Sequence, residues 1–402
     1  MIHAHPLLAS LIVLSLAGEA EIHEVAGVEG DFAHVLHVRI DGSWFDIGRE
    51  LARFGSEEHG FQPSEARDAA AVRAQREWFA AHEPAQVERM RGVAAFFGLE
   101  QRMDDYELDG IPYGFTRAGC TVVFYPPDTT ESGKGVLARN FDFSTGTFDG
   151  RIPGPEETPV ASSPILLELH PTDGYASIAV VAFDLLGVVD GINSEGLTVA
   201  LLADDELSAK GLSRPVAGVH AGLGVLQVGR FLLDTCKDVA EAKAALRGAS
   251  FYYTSIPCHY VIADAHGAAF IWENAVDLRG GHEIEEEGPL VSTNYLRHLH
   301  PDPGSVPDDA DPLGLYGRER TVRACFTGQG KFSSEEIRTN ADRVSPRWIA
   351  PSNRAAGRTL WYSQYCPEER SLAVDFYLGE TPKPGGGREI RRSPVVSLAL
   401  AP

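Results

Sequence analysis

Two short stretches of this 402-residue chain decide its fold: RAGCTVVF at residues 117–124 and GVLARNFDF at residues 135–143. In the first stretch a small residue precedes Cys120, and apolar residues follow it. Between the two stretches, Gly133 and Gly135 indicate a turn. Because two apolar runs joined by such a turn are typical of a β-hairpin, we predict a hairpin whose first strand begins at Cys120.

The residue types around Cys120 suit a thiol nucleophile. A cut of the bond between Gly119 and Cys120 would leave Cys120 with its own base, the new α-amino group. An α-amine has an ordinary pKa of roughly 7.7–8.0, which suits proton transfer near neutral pH. Because glycine has no side chain, the thiol could reach the carbonyl before it and form a thioester that water then opens. Arg139 would favour the thiolate, and Asp142 would hold the ammonium form of the amine. A buried structural cysteine at the start of a strand is the alternative interpretation.

Arg139 and Asp142 lie three residues apart on the predicted second strand. Side chains three residues apart in a strand point to opposite faces of the sheet. For both to serve one site, a twist or bulge is needed between them, and we predict it at Asn140 and Phe141.

Gly-Cys-Thr at residues 119–121, with Arg-Asn-Phe-Asp at residues 139–142, resembles the N-terminal-nucleophile (Ntn) hydrolases. Within that group the chain is most similar to the penicillin acyltransferase-like family, also known as the acyl-CoA:6-aminopenicillanic acid acyltransferase or peptidase C45 family. This family is related to conjugated bile acid hydrolases. The resemblance extends over residues 35–380 and implies a self-cleaving precursor that acts on linear amides through a thioester acyl-enzyme. It also implies an α+β fold of the four-layer αββα sandwich type, with helices on the outer faces of two stacked, mostly antiparallel sheets.

The resemblance implies further site residues. Asn294 is similar to a family Asn that contributes to the active site, where its amide would donate to a developing oxyanion; a strand-end cap is the alternative. Arg320 is similar to the first arginine of a family Arg-x-x-Arg in the active-site network, with an ordinary helix salt bridge as the alternative. Where the bile-acid relatives carry an oxyanion-hole Asn, this chain has Ala203, so a backbone N–H would have to replace that amide. Asp204 would either meet a positive group of the substrate or end a strand in solvent.

Composition narrows the classes of partner. The net charge of −22, from 35 basic and 57 acidic residues, argues against nucleic acid and against anionic membrane surfaces. The five cysteines are irregularly spaced without a Cys-x-x-Cys pair, which argues against a zinc site and suits the reducing cytoplasm. His298, His300 and Asp302 could bind a metal, but no third histidine follows at a familiar spacing, so we predict a polar loop and no cofactor.

We divide the chain into an N-terminal extension (1–32), a propeptide-like segment (33–119) and a catalytic domain (120–402). Residues 6–17 form an apolar run that is too short to span a bilayer. No Lys or Arg precedes it, as would be usual for a secretion signal, so the run is at most a weak signal of that kind. Helices are predicted over residues 69–81, 84–98 and 216–248. Strands are predicted from residue 165 onward, with residues 190–197 as a turn between two of them. After cleavage the two segments that flank Cys120 would remain together as a small and a large subunit, and higher oligomers stay open.

Three functions remain as hypotheses. The first is a self-cleaving cysteine amidohydrolase that cleaves a linear amide of a small molecule. The second is an acyltransferase that uses the same residues and passes the acyl group to an amine. The third, from another class, is an uncleaved protein that binds a ligand without turnover.

Overall fold

The computed structural model describes residues 19–113, 119–147, 151–154, 157–206, 221–251, 257–275, 278, 280–328, 330–346, 355–384 and 386–401. Residues 1–18 of the predicted extension, residues 114–118 of the segment before the cysteine and residues 216–220 of a predicted helical region lie outside this part. Within the described part, no helix combines the length and the apolar character that a membrane span requires.

The strands are β1 Glu21–Ala26, β2 Val35–Gly42, β3 Gly119–Tyr125, β4 Val136–Ser144, β5 Ile165–Pro171, β6 Ser177–Val181, β7 Asp190–Asn193, β8 Thr198–Ala203, β9 Cys258–Ala263, β10 Ala269–Asn274, β11 Gly281–Ile284, β12 Leu290–Ser292, β13 Gly357–Cys366, β14 Ser371–Pro382, β15 Arg388–Arg392 and β16 Val396–Ala399. The α-helices are α1 Trp44–His59, α2 Ala69–His82, α3 Pro84–Phe97, α4 Gln227–Thr235, α5 Val239–Gly248, α6 Gly317–Ala324 and α7 Ser334–Arg343.

These strands form two sheets. The first has nine strands in the order β1-β2-β5-β6-β7-β8-β9-β10-β11, and only the β2–β5 pair in it is parallel among the described strands. The second has seven strands in the order β12-β3-β4-β13-β14-β15, with β16 also paired to β14, and its pairs are antiparallel. Because β2 pairs with β5, residues on both sides of Cys120 build the nine-stranded sheet.

Three apolar layers define the architecture. One lies between the nine-stranded sheet and helices α1 to α5, and a second lies between the two sheets. A third lies between the seven-stranded sheet and helices α6 and α7. The order of layers is helix, sheet, sheet, helix, which confirms the predicted α+β fold of the αββα type with a helical N-terminal segment.

Two glycines allow α1 and α3 to pack closely beneath the first sheet. A Cβ on Gly48 would lie 2.2 Å from the carbonyl oxygen of Arg89, and a Cβ on Gly92 would lie 2.1 Å from that of Phe45. Helix α3 begins at Pro84, whose ring suits a first turn, and ends at Gly98 in the left-handed conformation (φ 67°), as the sequence predicts.

The predicted hairpin is formed by β3 and β4. Its register runs without interruption from Gly119 opposite Asp142 to Tyr125 opposite Val136. The predicted bulge in β4 is therefore wrong. The irregularity lies in the neighbouring strand β13, between Thr359 and Trp361, where one extra residue bends β13 alongside β4.

One further sequence interpretation is corrected. Residues 190–197 are predicted as a turn, but Asp190–Asn193 forms strand β7 in the middle of the first sheet. Its polar and glycine residues resemble a turn in the sequence, while its neighbours β6 and β8 supply the pairing that makes it a strand.

Candidate active site

Cys120 lies near the start of β3, between β4 and β12 of the seven-stranded sheet. Alternation along β3 turns its side chain, with those of Val122 and Phe124, into the layer between the two sheets. The side chain is fully buried. Burial raises the pKa of the Cys120 thiol, and the nearby Arg139 opposes that rise.

Arg139 reaches from the seven-stranded sheet to the nine-stranded one and contacts the sulfur on the way. Its Nη2 atom lies 3.2 Å from Cys120 Sγ and 2.8 Å from the carbonyl oxygen of Leu201. Its Nη1 atom donates to the Val189 carbonyl at 2.9 Å and to Asp190 Oδ1 at 2.7 Å. Burial lowers the pKa of Arg139, but the nearby Asp190 and Cys120 raise it by more than burial lowers it, so this guanidinium stays charged.

Asp190 fixes the far end of that arginine. Its carboxylate also accepts hydrogen bonds from Ser363 Oγ at 2.8 Å, Tyr365 OH at 3.0 Å and Trp361 Nε1 at 3.3 Å. The buried guanidinium is therefore held by a carboxylate that several donors orient. Asp190 is not among the predicted site residues, because the polar and glycine residues around it are typical of a turn and not of a central strand.

Asn294 holds the main chain at Cys120. Its Oδ1 atom accepts from the Cys120 backbone N–H at 2.5 Å and from Arg318 Nη2 at 2.7 Å. Its Nδ2 atom donates to the Ala203 carbonyl at 2.8 Å. Two donors on one side and a carbonyl on the other fix the orientation of the amide. Asn294 thus contacts the main chain of Cys120, and its oxygen, not its nitrogen, faces that residue.

Asp142 lies on the opposite face of β4 from Arg139, directly across from Gly119. Its Oδ1 atom accepts from Thr359 Oγ1 at 2.6 Å, and its Oδ2 atom lies 3.4 Å from Arg318 Nη1. Burial raises the pKa of Asp142 to about 6, with Arg318 and Thr359 acting in the opposite direction. Arg139 therefore acts on the sulfur, whereas Asp142 is close to the main chain before it.

Arg320 does not join this group. Its guanidinium is close to half exposed and donates to the carbonyls of Pro307 and Asp309 at 3.2 and 2.6 Å. The predicted position is taken by Arg318, whose Nη1 atom also donates to the Cys120 carbonyl at 2.8 Å. Residues two apart on a helix point in nearly opposite directions, so only one of the two arginines can face β3.

Asp204 is neither solvated nor free to meet a substrate. It is 1 % exposed, and its Oδ1 atom hydrogen-bonds to His259 Nδ1. His259 Nε2 in turn lies 2.9 Å from Ser292 Oγ. The carboxylate that was predicted to meet a positive group of the substrate is thus already paired inside the protein, and His259 and Ser292 are not among the predicted site residues. Among the described residues, no group of three or more His, Cys, Asp or Glu side chains is arranged to hold a metal ion.

A known protein family matches this chain. The acyl-coenzyme A:6-aminopenicillanic acid acyl-transferase family matches residues 129–374, more than half of the chain. The match starts after Cys120 and includes Arg139, Asp142, Asn294 and Arg318. A comparison with curated protein sequences gives no significant match.

Several solved structures are similar. A conjugated bile acid hydrolase from Clostridium perfringens has a TM-score of 0.43 at 13 % identity, over 70 % of this chain and 97 % of that one. A penicillin V acylase from Agrobacterium tumefaciens has a TM-score of 0.41 at 16 % identity, over 64 % and 82 %. A Caenorhabditis elegans ortholog of N-acylethanolamine-hydrolyzing acid amidase has a TM-score of 0.39 at 12 % identity, over 62 % and 93 %.

Proposed function

This chain belongs to the acyl-coenzyme A:6-aminopenicillanic acid acyl-transferase family, and we propose that it is a self-cleaving cysteine amidase. It cuts its own chain before Cys120 and then hydrolyses a linear amide of a small molecule through a thioester. One observation carries the proposal: Cys120 has a guanidinium at its sulfur and an amide oxygen at its nitrogen, at 3.2 and 2.5 Å. Any buried residue needs an acceptor for its backbone N–H, but a structural cysteine has no need of a guanidinium at its sulfur.

Self-cleavage starts with attack of Cys120 Sγ on the carbonyl carbon of Gly119. The S–C bond forms, the C–N bond between the two residues breaks, and the thiol proton goes to the departing nitrogen. Water then adds to the thioester, which leaves a carboxylate on Gly119 and returns the thiol. Asn294 and Arg318 contact the main chain on both sides of Cys120 Cα and would keep it still during attack.

In turnover the freed nitrogen becomes the general base. Asn294 Oδ1 is placed to accept one of its hydrogens and so to direct its lone pair towards the sulfur. The nitrogen takes the thiol proton, Arg139 stabilises the thiolate, and sulfur attacks the amide carbonyl. The leaving amine takes the proton, and water releases the acid. The second N–H of Asn294 Nδ2, with backbone N–H groups, would bind the oxyanion, while Asp142 stabilises the ammonium state.

Acyl transfer is the second candidate function, and the description of the matched family favours it. The same residues would form the same thioester, and an acceptor amine would replace water. A product assay with and without an added amine separates the two functions. A third possibility, a binding protein without turnover, predicts a chain that stays whole.

We also propose that residues 33–119 remain bound as a small subunit after cleavage. Strand β2 pairs with β5 along seven residue positions, and Arg89 contacts Asp234 at 2.5 Å, so the two segments share a sheet and a buried ion pair. The five cysteines are free, which is consistent with a cytoplasmic location.

Intact mass and N-terminal sequencing of the purified protein test the central claim. We expect two pieces, the larger beginning Cys120-Thr121-Val122, and loss of activity when an alkylating reagent adds once to that piece. Cys120→Ala should stay whole and inactive, Cys120→Ser should cleave slowly at best, and Cys366→Ser should cleave normally. An uncut chain in a preparation that hydrolyses amides would contradict the proposal.

A further inference from the structure

A buried polar link crosses the apolar layer near the nucleophile. His259, the second residue of β9, contacts Asp204 just after β8 and, through Nε2, Ser292 at the end of β12 at 2.9 Å. All three side chains are at most 1 % exposed. The link therefore joins the nine-stranded sheet to the strand that lies next to β3.

Both ends of this link lie beside Asn294. Ser292 is two residues before it on the same segment. On the other side, the residues that flank Asp204 hold Asn294 directly. The Ala203 carbonyl accepts from its Nδ2 atom at 2.8 Å, and the Asp205 N–H donates to its backbone carbonyl at 3.0 Å.

We propose that His259 is a positioning residue that sets where Asn294 Oδ1 lies relative to the backbone nitrogen of Cys120. By joining the segment after β8 to the segment after β12, it fixes the two pieces of chain between which Asn294 is held. Its effect on catalysis rests on the proposed function, whereas its effect on geometry does not.

The chemistry of the link explains why an imidazole is needed. Burial raises the pKa of Asp204, which means that its carboxylate depends on a hydrogen-bond donor inside the protein. The Nδ1–H of His259 supplies that donor, and the second nitrogen reaches Ser292 at the same time. An aliphatic side chain of similar size can make neither hydrogen bond. Without the imidazole, Asp204 would turn towards another donor, and the chain beside Asn294 would move with it.

The same order of contacts, carboxylate to imidazole to hydroxyl, occurs in serine hydrolases. Here Ser292 Oγ lies in a side chain that is 1 % exposed, beneath strands of both sheets. The guanidinium of Arg139 contacts the sulfur of Cys120 at 3.2 Å and so favours that thiol, and not the Ser292 hydroxyl, as the group that attacks a carbonyl. This difference assigns a positioning role to the link.

Hydrogen exchange at single-residue resolution tests the geometric claim in chains that carry Cys120→Ala, which stay whole whether or not the protein cleaves itself. Adding His259→Leu should speed exchange of the backbone amide at position 120 at least tenfold, because its acceptor has moved. Adding Ser292→Ala, a milder change, should act in the same direction. Exchange at Ile262, three residues further along β9, should stay unchanged and report an intact sheet.

His37→Leu is the matched control. It removes another histidine–carboxylate contact of the nine-stranded sheet, His37 Nε2 to Glu168 Oε2 at 2.8 Å, on strands β2 and β5, which β6, β7 and β8 separate from β9 in the strand order. It should leave exchange at position 120 unaltered. Unchanged protection there in folded His259→Leu and Ser292→Ala chains would overturn the proposal.

Cleavage rates in the otherwise natural chain give the second readout. His259→Gln keeps an N–H that can reach Ser292 and should cleave faster than His259→Leu at equal thermal stability. Failure of the natural chain to cleave would refute the proposed function alone, since the exchange measurements still decide the role of His259. Equal cleavage rates for His259→Leu and the natural chain would count against His259 as a positioning residue.

Discussion

Asn294 accepts the backbone N–H of Cys120 at 2.5 Å, although the two residues are 174 positions apart in the sequence. In a chain cut before Cys120, the same nitrogen would be an α-amine. A neutral oxygen acceptor would then orient the amine. A carboxylate in the same place would instead hold the amine in its ammonium form. The contact therefore suits a nitrogen that has to accept and release a proton.

Asn294→Ala should lower turnover at least a hundredfold, a loss of about 2.7 kcal/mol in transition-state stabilisation. The change removes the acceptor for the Cys120 nitrogen and leaves Arg318 Nη2 without this partner. Asn140→Ala is the control, because Asn140 is also a buried asparagine; it lies on β4, next to the strand of Cys120, and its amide donates to the Ala341 carbonyl instead. It should lower the melting temperature and leave kcat intact; similar kcat losses in both variants would refute the special role of Asn294.

Arg318 and Arg320 offer a paired test on one helix. Arg318→Lys should reduce both self-cleavage and turnover at least tenfold, because one ammonium cannot bridge the Cys120 carbonyl, Asp142 and Asn294 as the fork does. Arg320→Lys should be close to neutral, since its partners are two loop carbonyls and the fully exposed carboxylate of Asp308. Rates per folded molecule for the two variants decide which arginine belongs to the site. A larger loss of rate for Arg320→Lys would favour Arg320, the arginine that the sequence predicts.

These two arginines also show how far the sequence could lead. The hairpin and the contact of Arg139 with Cys120 follow from local pattern and motif, and the layered fold is what the resemblance to the Ntn hydrolases implies. The arginine was placed two residues too late because three arginines occur within six residues, at 318, 320 and 323, and spacing alone does not define which one faces the core. Only the start of α6 at Gly317 fixes the side that each presents.

Contacts between residues on strands that are distant in the sequence could not be predicted. Asp190 lies 51 residues from Arg139, and Thr359 lies 217 residues from Asp142, so no local pattern links either pair. Their pairing depends on the strand order, which places β7 across from β4 and β13 alongside it. A buried acidic residue within an apolar run was the one available signal for Asp190.

Asp142 should give the pH profile its acid limb. Because burial raises its pKa to about 6, the carboxylate takes up a proton as the pH falls through that value, and activity should fall with it. Asp142→Asn should lower turnover at pH 7 at least tenfold and should remove the limb near pH 6. If folded Asp142→Asn still shows the same fall in activity near pH 6 as the wild type, that fall belongs to another group.

The contribution of Asp142 to the free energy of unfolding should decrease as the pH rises, whereas its contribution to activity should decrease as the pH falls. The folded pKa of about 6 lies above the unfolded value of 3.8, so the folded chain binds more protons between these two values. Stability from this group is present below pH 4 and is lost as the pH rises through 6, by up to about 3 kcal/mol. Urea unfolding of wild type and Asp142→Asn at pH 4.5 and 7 should reveal this difference, which separates acid inactivation from acid unfolding.

Arg139→Lys should impair both steps. Its guanidinium contacts Cys120 Sγ, Asp190 and two carbonyls from the opposite sheet, and a lysine ammonium can replace only part of this set. We expect at least a hundredfold lower turnover and a higher apparent pKa for alkylation of the Cys120 thiol, measured from rate against pH. Retained turnover with an unshifted alkylation profile would exclude a role for Arg139 in activating the sulfur.

A buried ion cluster should dominate the attachment of the N-terminal segment. Arg89 is 1 % exposed, donates to Glu83 Oε1 at 2.6 Å and contacts Asp234 Oδ2 at 2.5 Å. Burial raises the pKa of Glu83 to about 8, opposed chiefly by the charge of Arg89. Because Arg89 precedes Cys120 and Asp234 follows it, the contact joins the two segments that cleavage would separate.

Arg89→Leu leaves two buried carboxyl groups without their shared cation and should lower the free energy of unfolding by about 3–5 kcal/mol. Arg91→Leu is the control, since Arg91 is more than half exposed and pairs only with Glu88 among its described contacts; it should cost less than about 1 kcal/mol. In cleaved protein, the small piece should dissociate at a lower urea concentration in Arg89→Leu than in Arg91→Leu, as followed by size-exclusion chromatography. Equal urea midpoints for the two variants would show that strand pairing between β2 and β5, and not the ion cluster, holds the pieces together.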